Sequence, residues 1–351
     1  MQSPQPHDEW ARVRKITTAE ARKKIPLNCY KRSMTKTFVW LGVDLLFFIV
    51  GLALICCSAN IGLKIFGGLV TGFAAAFLFL WAHDAAHGTL FKSRKFAEII
   101  GTISMLPSLS TFRMWAYGHN KVHHGFTSFT PIDSIWRPLS PNEYRRLSRY
   151  QRILYRIERN LFSCGFHYLR QVWWFTTMRF NPGKDKQQRQ YYRFGKVMML
   201  IYAVAASALA YYFAGGIIGI VAVVIIPFLT FNYLISLIVY LHHTHPDIPF
   251  FDLKKDWSHS VGALYCTTTI KSSKIVSMLL HNIMTHVPHH LDTRIPFYNL
   301  PRAHESLRNE YKRYFHEYRF RWRYLYMVFK RCKLYDFELN TWMTFKEAMS
   351  F

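Results

Sequence analysis

Residues 36–57 of the chain read KTFVWLGVDLLFFIVGLALICC, and residues 63–82 read LKIFGGLVTGFAAAFLFLWA. Each stretch is apolar over about 20 residues, and a helix of that length, rising about 1.5 Å per residue, matches a hydrocarbon core of about 30 Å. Two further stretches of this kind occupy residues 197–213 and 217–241. The sequence therefore predicts an all-α integral membrane protein with four spanning helices.

The predicted spans form two pairs, because only residues 58–62 and 214–216 separate the members of each pair. Neither link carries a charge, whereas the segment before the first span, the block between the pairs and the segment after Pro301 are rich in Lys and Arg. Basic residues mark the cytoplasmic side of a membrane protein. We therefore expect two helical hairpins in a bacterial inner membrane, with both termini in the cytosol.

The charge balance fits this arrangement. The chain has 351 residues, of which 45 are Lys or Arg and 20 are Asp or Glu, and 51% are hydrophobic. A charge of +25 is also typical of nucleic-acid-binding proteins. Here the basic residues flank the apolar stretches, so we expect no nucleic-acid partner. The predicted organisation is a basic cytosolic segment (residues 1–35), a membrane domain (residues 36–300) and a basic, aromatic tail that is cytosolic or interfacial (residues 301–351).

Most of the 17 histidines fall into clusters, which lie at the ends of predicted spans or on the predicted cytosolic segments. The motifs HDAAH and HNKVHH place histidines four residues apart, which share one face of a helix and can point at one metal ion. HHTHP follows the fourth span, and HNIMTHVPHH comes later. The clustered residues that matter most are His83, His87, His119, His123, His124, His243, His281, His286, His289 and His290.

Imidazole is a ligand for zinc, copper, iron and nickel, whereas calcium and magnesium prefer oxygen. One zinc ion takes about four ligands, fewer than these clusters offer. A zinc protease needs HExxH, but Asp84 holds the second position here, and the Glu-x-x-His repeats of ferritin-type sites are missing. A pair of redox-active metal ions remains. Metal-bound histidines need hydrogen-bond partners of their own, and the nearest in sequence are Asp84, Asn120, Asp133 and Asn282.

The stretches HDAAHGTLF, HNKVHHGFTS, LHHTHPDIPF and HNIMTHVPHHLDTRIPFYNLP together resemble the membrane fatty acid desaturase family, whose three histidine boxes they include, over about residues 81–300. Within the family the similarity is greatest to the bacterial and plant acyl-lipid type that places a second double bond (delta-12 or omega type). The resemblance implies a mushroom-shaped, all-helical protein whose cytosolic helical cap holds the boxes.

The resemblance also implies a non-haem di-iron centre that uses dioxygen as co-substrate. The histidines that it implies as iron ligands and catalytic residues are His83, His87, His119, His123, His124, His286, His289 and His290. A ninth ligand is expected, with His243 as first choice and His281 as second, and His245 as an orienting neighbour. His242 stands where plant relatives commonly have glutamine, so no ligand role is assigned to it.

The activity that this resemblance implies is the introduction of a cis double bond into an acyl chain carried by a lipid, CoA or acyl carrier protein. The sequence has no HPGG haem motif, so we expect electrons from a separate ferredoxin or cytochrome b-type protein with its NAD(P)H reductase. An alternative is a hydroxylase or ketolase with the same centre, acting on fatty acyl, alkane or carotenoid substrates. A metal transporter is disfavoured, because its polar ligands would lie deep within the spans.

Residues 311–332 read YKRYFHEYRFRWRYLYMVFKRC, in which basic and aromatic residues alternate. Such a segment suits the headgroup region of a membrane, where rings lie at the boundary and cations approach anionic lipid. A docking surface for an acidic electron carrier is the alternative interpretation.

Overall fold

The computed structural model describes residues 6–350 and is mainly helical, so residues 1–5 and 351 of the predicted terminal segments lie outside it. The predicted all-α class is confirmed, and residues 6–350 also contain four short strands. The α-helices are α1 (Pro6–Val13), α2 (Thr18–Lys23), α3 (Met34–Cys56), α4 (Ile61–His87), α5 (Arg94–Met105), α6 (Phe112–Tyr117), α7 (His124–Phe126), α8 (Pro141–Arg146), α9 (Arg149–Glu158), α10 (Gly165–His167), α11 (Lys186–Phe213), α12 (Gly216–Ile220), α13 (Ile226–His243), α14 (His259–Leu264), α15 (Lys274–Leu279), α16 (His286–Leu291), α17 (Leu300–Tyr311) and α18 (Trp322–Arg331). The strands are β1 (Thr268–Lys271), β2 (His316–Arg319), β3 (Leu334–Asp336) and β4 (Thr341–Met343), and π-helical turns cover Gly118–His123, Tyr168–Met178 and Val221–Ile225.

The chain divides into two compact units. The membrane unit consists of residues 32–118 and 165–236, and the polar unit consists of residues 1–31, 119–164 and 237–351. The first histidine motif lies in the membrane unit, and the other three lie in the polar unit.

Four helices in the described part of the chain are long and apolar enough to cross a membrane, which confirms the predicted number of spans. They are α3 with 23 residues, α4 with 27, α11 with 28, and a 28-residue helix in which α12 continues through a π turn into α13. Their outer faces carry exposed apolar side chains such as Leu46 and Leu200, at 59% and 60% exposure. A helix satisfies its own backbone hydrogen bonds, so such faces suit lipid.

Two of these helices extend beyond the predicted apolar stretches. Helix α4 runs on to His87 and ends where Gly88 adopts the left-handed conformation, with φ of 66°. Helix α11 begins at Lys186, where the Asp185 side chain accepts a hydrogen bond from the Gln188 amide at its first turn. Hydropathy identifies only the apolar part of a helix, so the predicted spans do not include the polar first turns of α11 or the HDAAH end of α4.

Small residues let the spanning helices of the membrane unit approach closely. A Cβ atom on Gly72 of α4 would lie 2.5 Å from the Cβ atom of Thr230 on α13. One on Gly51 of α3 would lie 2.4 Å from the Thr71 hydroxyl oxygen on α4. Small residues at helix contacts are the usual device of membrane proteins, where packing replaces the hydrophobic effect. Larger side chains at these two glycines would separate the helices.

The carboxylate of Asp44, inside α3, is fully buried and accepts a hydrogen bond from the indole nitrogen of Trp81 on α4. A polar group within a span is costly unless it is paired with a neighbouring helix. This contact explains a residue for which the sequence offered no clear partner, and it ties α3 to α4 close to the HDAAH motif.

Lys64 connects the two helical hairpins. Its ammonium, 7% exposed, donates to the carbonyl oxygen of Ile55 at 2.9 Å and to that of Ala214 at 2.6 Å. Ile55 is in the last turn of α3, and Ala214 directly follows the last residue of α11. The final carbonyl groups of a helix have no partner within it and carry partial negative charge, so one cation stabilises two helix ends.

We expect Lys64→Met to lower the stability of the protein by about 3 kcal/mol, because hydrogen bonds from a charged donor contribute about 1.5–3 kcal/mol each and the freed carbonyl groups stay buried. The measurement is the unfolding temperature of the detergent-solubilised protein. Lys92→Met, at an exposed lysine of the same unit, serves as the control. An unfolding temperature of Lys64→Met equal to that of the control would contradict the capping role.

The predicted tail is a folded part of the polar unit. Strand β2 pairs in parallel with β1, with Thr268 opposite His316, and β3 pairs with β4 in antiparallel fashion. Helix α18 is amphipathic, and it buries Leu325, Val328 and Phe329 against the rest of the unit. The alternating basic and aromatic residues of 311–332 therefore fall mainly in strand β2 and in helix α18, which has one apolar face.

A buried arginine organises the core next to the end of α13. Arg159, 1% exposed, lies within 5.4–5.9 Å of the ring centroids of four aromatic residues and donates to the carbonyl oxygens of Trp136 and Arg137. Guanidinium groups bind aromatic faces favourably when water is excluded. The four rings belong to Trp136, Tyr155, Tyr240 and Trp342. Tyr240 precedes His243 by one helical turn, so this packing fixes the carboxyl end of α13.

Candidate metal centre

The HDAAH motif is the last turn of α4. His83 and His87 lie four residues apart on this helix, with ring centroids 4.8 Å apart. The Nδ1 atom of His83 is 2.9 Å from a carboxylate oxygen of Asp84. The two imidazoles therefore share one face of the helix, as the spacing predicts.

The second motif departs from the expected helical geometry. Gly118–His123 is a π turn, in which backbone hydrogen bonds join residues five apart, instead of the four of an α-helix. The Nε2 atoms of His119 and His124 consequently lie 3.0 Å apart. His123, which an α-helix would pair with His119, points into a different group of histidines. The extra residue in the turn thus divides one motif between two groups.

His123, His243, His286 and His290 form a group, which we call the four-histidine group. One ring nitrogen from each of them lies within 4.8 Å of the others, and all four residues are buried. The Nε2 atoms of His243 and His286 are 3.2 Å apart. The contributing elements are the π turn, the end of α13 and helix α16. His243, the first choice for the ninth ligand, is thus part of this group.

Each member of the four-histidine group has its Nδ1 atom engaged by another part of the polar unit. His243 and His286 are within 3.0 Å and 3.1 Å of the carbonyl oxygens of Cys266 and Ile283. A carbonyl oxygen can only accept, so both Nδ1 atoms carry the proton and both Nε2 atoms carry a lone pair.

The remaining two members follow the same rule. The Nδ1 atom of His123 lies 3.1 Å from a carboxylate oxygen of Asp133, which is 2% exposed. The Nδ1 atom of His290 lies 3.0 Å from the Thr127 hydroxyl, and this hydroxyl donates its own proton to the carbonyl oxygen of His123. The hydroxyl therefore accepts from His290. All four Nε2 atoms are left as acceptors that face one another.

This arrangement fits a metal ion. Two nitrogen lone pairs about 3 Å apart repel each other. Two nitrogen ligands that are each about 2.1 Å from one metal ion are also about 3 Å from each other. The Nε2 atom of His290 is buried and has no hydrogen-bond partner within the described residues. A buried acceptor without a partner is costly, and a cation among the four nitrogen atoms removes that cost.

Burial keeps these rings in the form that binds metal. It holds the pKa of His286 and of His290 well below the usual range of histidine, and the neighbouring imidazoles lower it further. Both rings are therefore neutral near pH 7. Metal binding to histidine requires the neutral ring, so no proton has to be displaced from either residue.

A second group lies beside the first. His119, His124 and His289 also bring ring nitrogens within 4.8 Å of one another. The ring of His124 stacks on that of His290, with centroids 4.1 Å apart. The polar unit therefore offers two adjoining sets of imidazoles, an arrangement with room for two ions.

Other residues singled out from the sequence have different surroundings. His281 stacks on Phe297 at 4.5 Å, and the Asn282 side chain donates to the carbonyl oxygen of Phe297. Asn120 is half-buried in the π turn. His242 stacks on His286 at 3.6 Å and is well placed to orient that ring. Another neighbour, His245, has its Nδ1 atom 2.8 Å from the Tyr318 hydroxyl.

Comparison with known proteins identifies the family. The fatty acid desaturase family model matches residues 60–322, which include every histidine of both groups. The chain belongs to the fatty acid desaturase family. It is 29% identical to an sn-1 oleoyl-lipid 12-desaturase of Picosynechococcus sp., over 78% of this chain and 76% of the relative. It is also 29% identical to the enzyme of that name from Anabaena variabilis, over 91% and 89%. A chloroplastic omega-6 fatty acid desaturase of Glycine max is 28% identical, over 76% and 62%.

This desaturase is thus an oxidoreductase of the membrane that acts on fatty acyl chains, as the resemblance implied. Sequence reasoning found its histidines but missed several of the groups that orient them. Thr127 comes three residues after the last histidine of the second motif, yet a single threonine carries no signal of its role. The carbonyl groups of Cys266 and Ile283 belong to the backbone, so no residue type marks them. Asp133 alone among the orienting groups of the four-histidine group was singled out in advance.

Proposed function

We propose that this desaturase introduces a cis double bond at position 12 of an oleoyl-type chain that is esterified in a membrane lipid. Two of the relatives named above are called sn-1 oleoyl-lipid 12-desaturases, and their match spans most of each chain. The structural observation that carries the proposal is the four-histidine group. Its four Nε2 lone pairs face one another in a buried site, and each Nδ1 atom is hydrogen-bonded to an acceptor.

We further propose that the metal is a pair of iron ions. Removing hydrogen from a saturated chain is an oxidation, and zinc, which imidazole also binds, has no redox chemistry. His123, His243, His286 and His290 would hold one ion. His119, His124 and His289 would bind the second, and the sequence-based assignment of His83 and His87 as further ligands stays a prediction. Iron bound there supplies the redox chemistry that uses dioxygen to oxidise two adjacent methylene groups.

The protein's own contribution is orientation and exclusion of water. The hydrogen-bond acceptor at each Nδ1 atom fixes the tautomer and the orientation of the ring. Such acceptors also raise the basicity of the imidazole as a metal ligand. Burial of His286 and His290, at 2% and 7% exposure, keeps bulk water from this side of the centre. Rigid ligands in a dry environment favour oxidation of the bound chain over side reactions.

The side of the membrane is also proposed. The basic segments of residues 1–35 and 301–351 favour the cytosolic side for both termini and for the polar unit, in a bacterial inner membrane. Cysteines placed beside Asn60 and Gly215, in the links of the two hairpins, should react with an impermeant reagent from the outer side only. Reaction from the cytosolic side would contradict this topology.

The decisive experiment is expression in a host that makes oleoyl lipids and no dienoic fatty acids, together with a ferredoxin and its reductase. Fatty acid methyl esters from the extracted lipid are analysed by gas chromatography and mass spectrometry. We expect an 18-carbon diene with double bonds at positions 9 and 12, on the glycerolipid. A hydroxylated or keto product would support the alternative oxygenase. A diene with its new bond elsewhere would refute the assigned position.

A further inference from the structure

The proposed reaction requires electrons from outside the chain. Two C–H bonds break and one C=C π bond forms, so the acyl chain gives up two electrons and two protons. Reduction of dioxygen to two water molecules consumes four electrons and four protons. Two electrons, with two protons from water, must therefore come from an external reductant. The inference below rests on the proposed function and concerns the place where that reductant binds.

A groove on the polar unit has the surface that such a partner would need. It has a volume of about 900 Å³, and Trp322 and Tyr326 of α18 line it with 74% and 63% of their surface exposed. Two large exposed aromatic residues on one helix face are unusual for a surface that only meets water. They are the residue types that anchor protein interfaces.

The groove is also basic. Arg323, Lys330 and Arg331 line it, against one acidic residue, Glu347. The Glu347 carboxylate accepts a hydrogen bond from the Thr344 backbone amide at 2.7 Å, so one of its oxygen atoms is already hydrogen-bonded within the chain. The net positive charge favours an acidic partner and accelerates its encounter.

Stacked rings lead from Tyr324 of α18 to His245, in the segment that follows α13. Tyr324 stacks on Tyr318 with centroids 5.0 Å apart, and Tyr318 stacks on His245 at 4.0 Å. His245 is two residues after His243, a member of the four-histidine group.

A second contact of α18 reaches the carboxyl end of α13. Phe329 of α18 stacks on Tyr240 at 4.3 Å, one turn before His243. The helix that lines the groove on one side thus contacts, on its other side, the segment that carries a predicted iron ligand. Electrons that arrive at the groove have a closely packed path inward.

We propose that this groove binds an acidic one-electron carrier protein, which delivers the two electrons singly toward His243. Anionic lipid could also meet a basic, aromatic surface. Ring contacts that join α18 to Tyr240 and His245, on either side of His243 in the chain, serve no purpose in a lipid contact, whereas they can carry electrons from a donor protein. The contacts therefore favour the protein partner.

The test uses the full chain in phosphatidylcholine vesicles and the double variant Arg323→Glu/Lys330→Glu. Desaturation is driven in parallel by a reduced [2Fe–2S] ferredoxin and by reduced methyl viologen, a small dye that needs no docking surface. We expect the KM for ferredoxin to rise about tenfold, since reversing charges at an interface mainly slows association. The wild-type KM should increase with added salt, more steeply than that of the variant. The viologen-driven rate should not change.

The matched control is Arg146→Glu/Arg149→Glu, which reverses two exposed arginines of the same unit outside the groove. An equal rise of the KM in both double variants would mean that net charge alone matters, and it would overturn the proposal. A defect of the groove variant that appears only with anionic lipid in the vesicles would assign the surface to the membrane and overturn it too. Absence of desaturation by the wild type with either reductant would instead refute the proposed function.

Discussion

His123→Ala is expected to abolish desaturation and to remove at least one of the two iron ions, while the protein remains folded in the membrane. Its Nε2 atom belongs to the four-histidine group, and its Nδ1 atom is fixed by Asp133. The truncated side chain provides no ligand, and the three remaining imidazoles lose the ring that packs against them. Iron per protein, determined by elemental analysis after purification, and diene formation in the host are the two measurements.

The control for this variant is His259→Ala, at an exposed histidine of the same unit that belongs to neither group. It should keep iron content and diene formation at wild-type levels. The circular dichroism of both variants should match that of the wild type. Full iron content and full activity in His123→Ala would refute its assignment as a ligand.

Asp133→Asn is expected to lower iron affinity and turnover by about 10–100-fold, the usual effect of losing a group that orients a metal ligand. One carboxylate oxygen faces His123 Nδ1 and the Ser128 amide, and the other accepts from the Ile135 amide. An amide side chain of the same shape has only one acceptor oxygen. Whichever way it turns, its NH2 group opposes a backbone or imidazole N–H group.

The measurement for Asp133→Asn is the concentration of a chelator that removes half of the iron, together with the rate of diene formation. Asp252→Asn, at an exposed acidic residue of the polar unit, is the control. The expected order of activity is wild type and control first, then Asp133→Asn, then His123→Ala. A variant with wild-type resistance to the chelator would exclude Asp133 as an orienting group.

The sequence predicts the membrane helices well because lipid imposes a simple rule. A span must be apolar over its length, and residues 36–57 and 63–82 satisfy that rule within a few residues of α3 and α4. The rule fails where a helix leaves the hydrocarbon. The first turns of α11 are polar, and only the cap at Asp185 marks where that helix begins.

The sequence also reveals the histidine motifs, but it does not reveal which histidines come together in space. A spacing of four predicts that His119 and His123 share a face, whereas the π turn aligns His119 with His124. Nothing in the residue types of GHNKVH distinguishes a π turn from an α-helical one. The parallel pairing of β1 with β2, and the carbonyl groups that orient His243 and His286, depend on contacts between segments far apart in the chain.

Lys64 has a consequence for biogenesis. As the polypeptide leaves the ribosome, the Lys64 ammonium can donate to the Ile55 carbonyl oxygen once the first hairpin has formed. The Ala214 carbonyl oxygen becomes available only with the second hairpin. Until then this cation has only one of its two carbonyl partners, which favours an insertion intermediate that persists until the later helices arrive. The same lysine therefore makes the two halves of the membrane unit interdependent during assembly, and a chain truncated between them should be a target for membrane quality-control proteases.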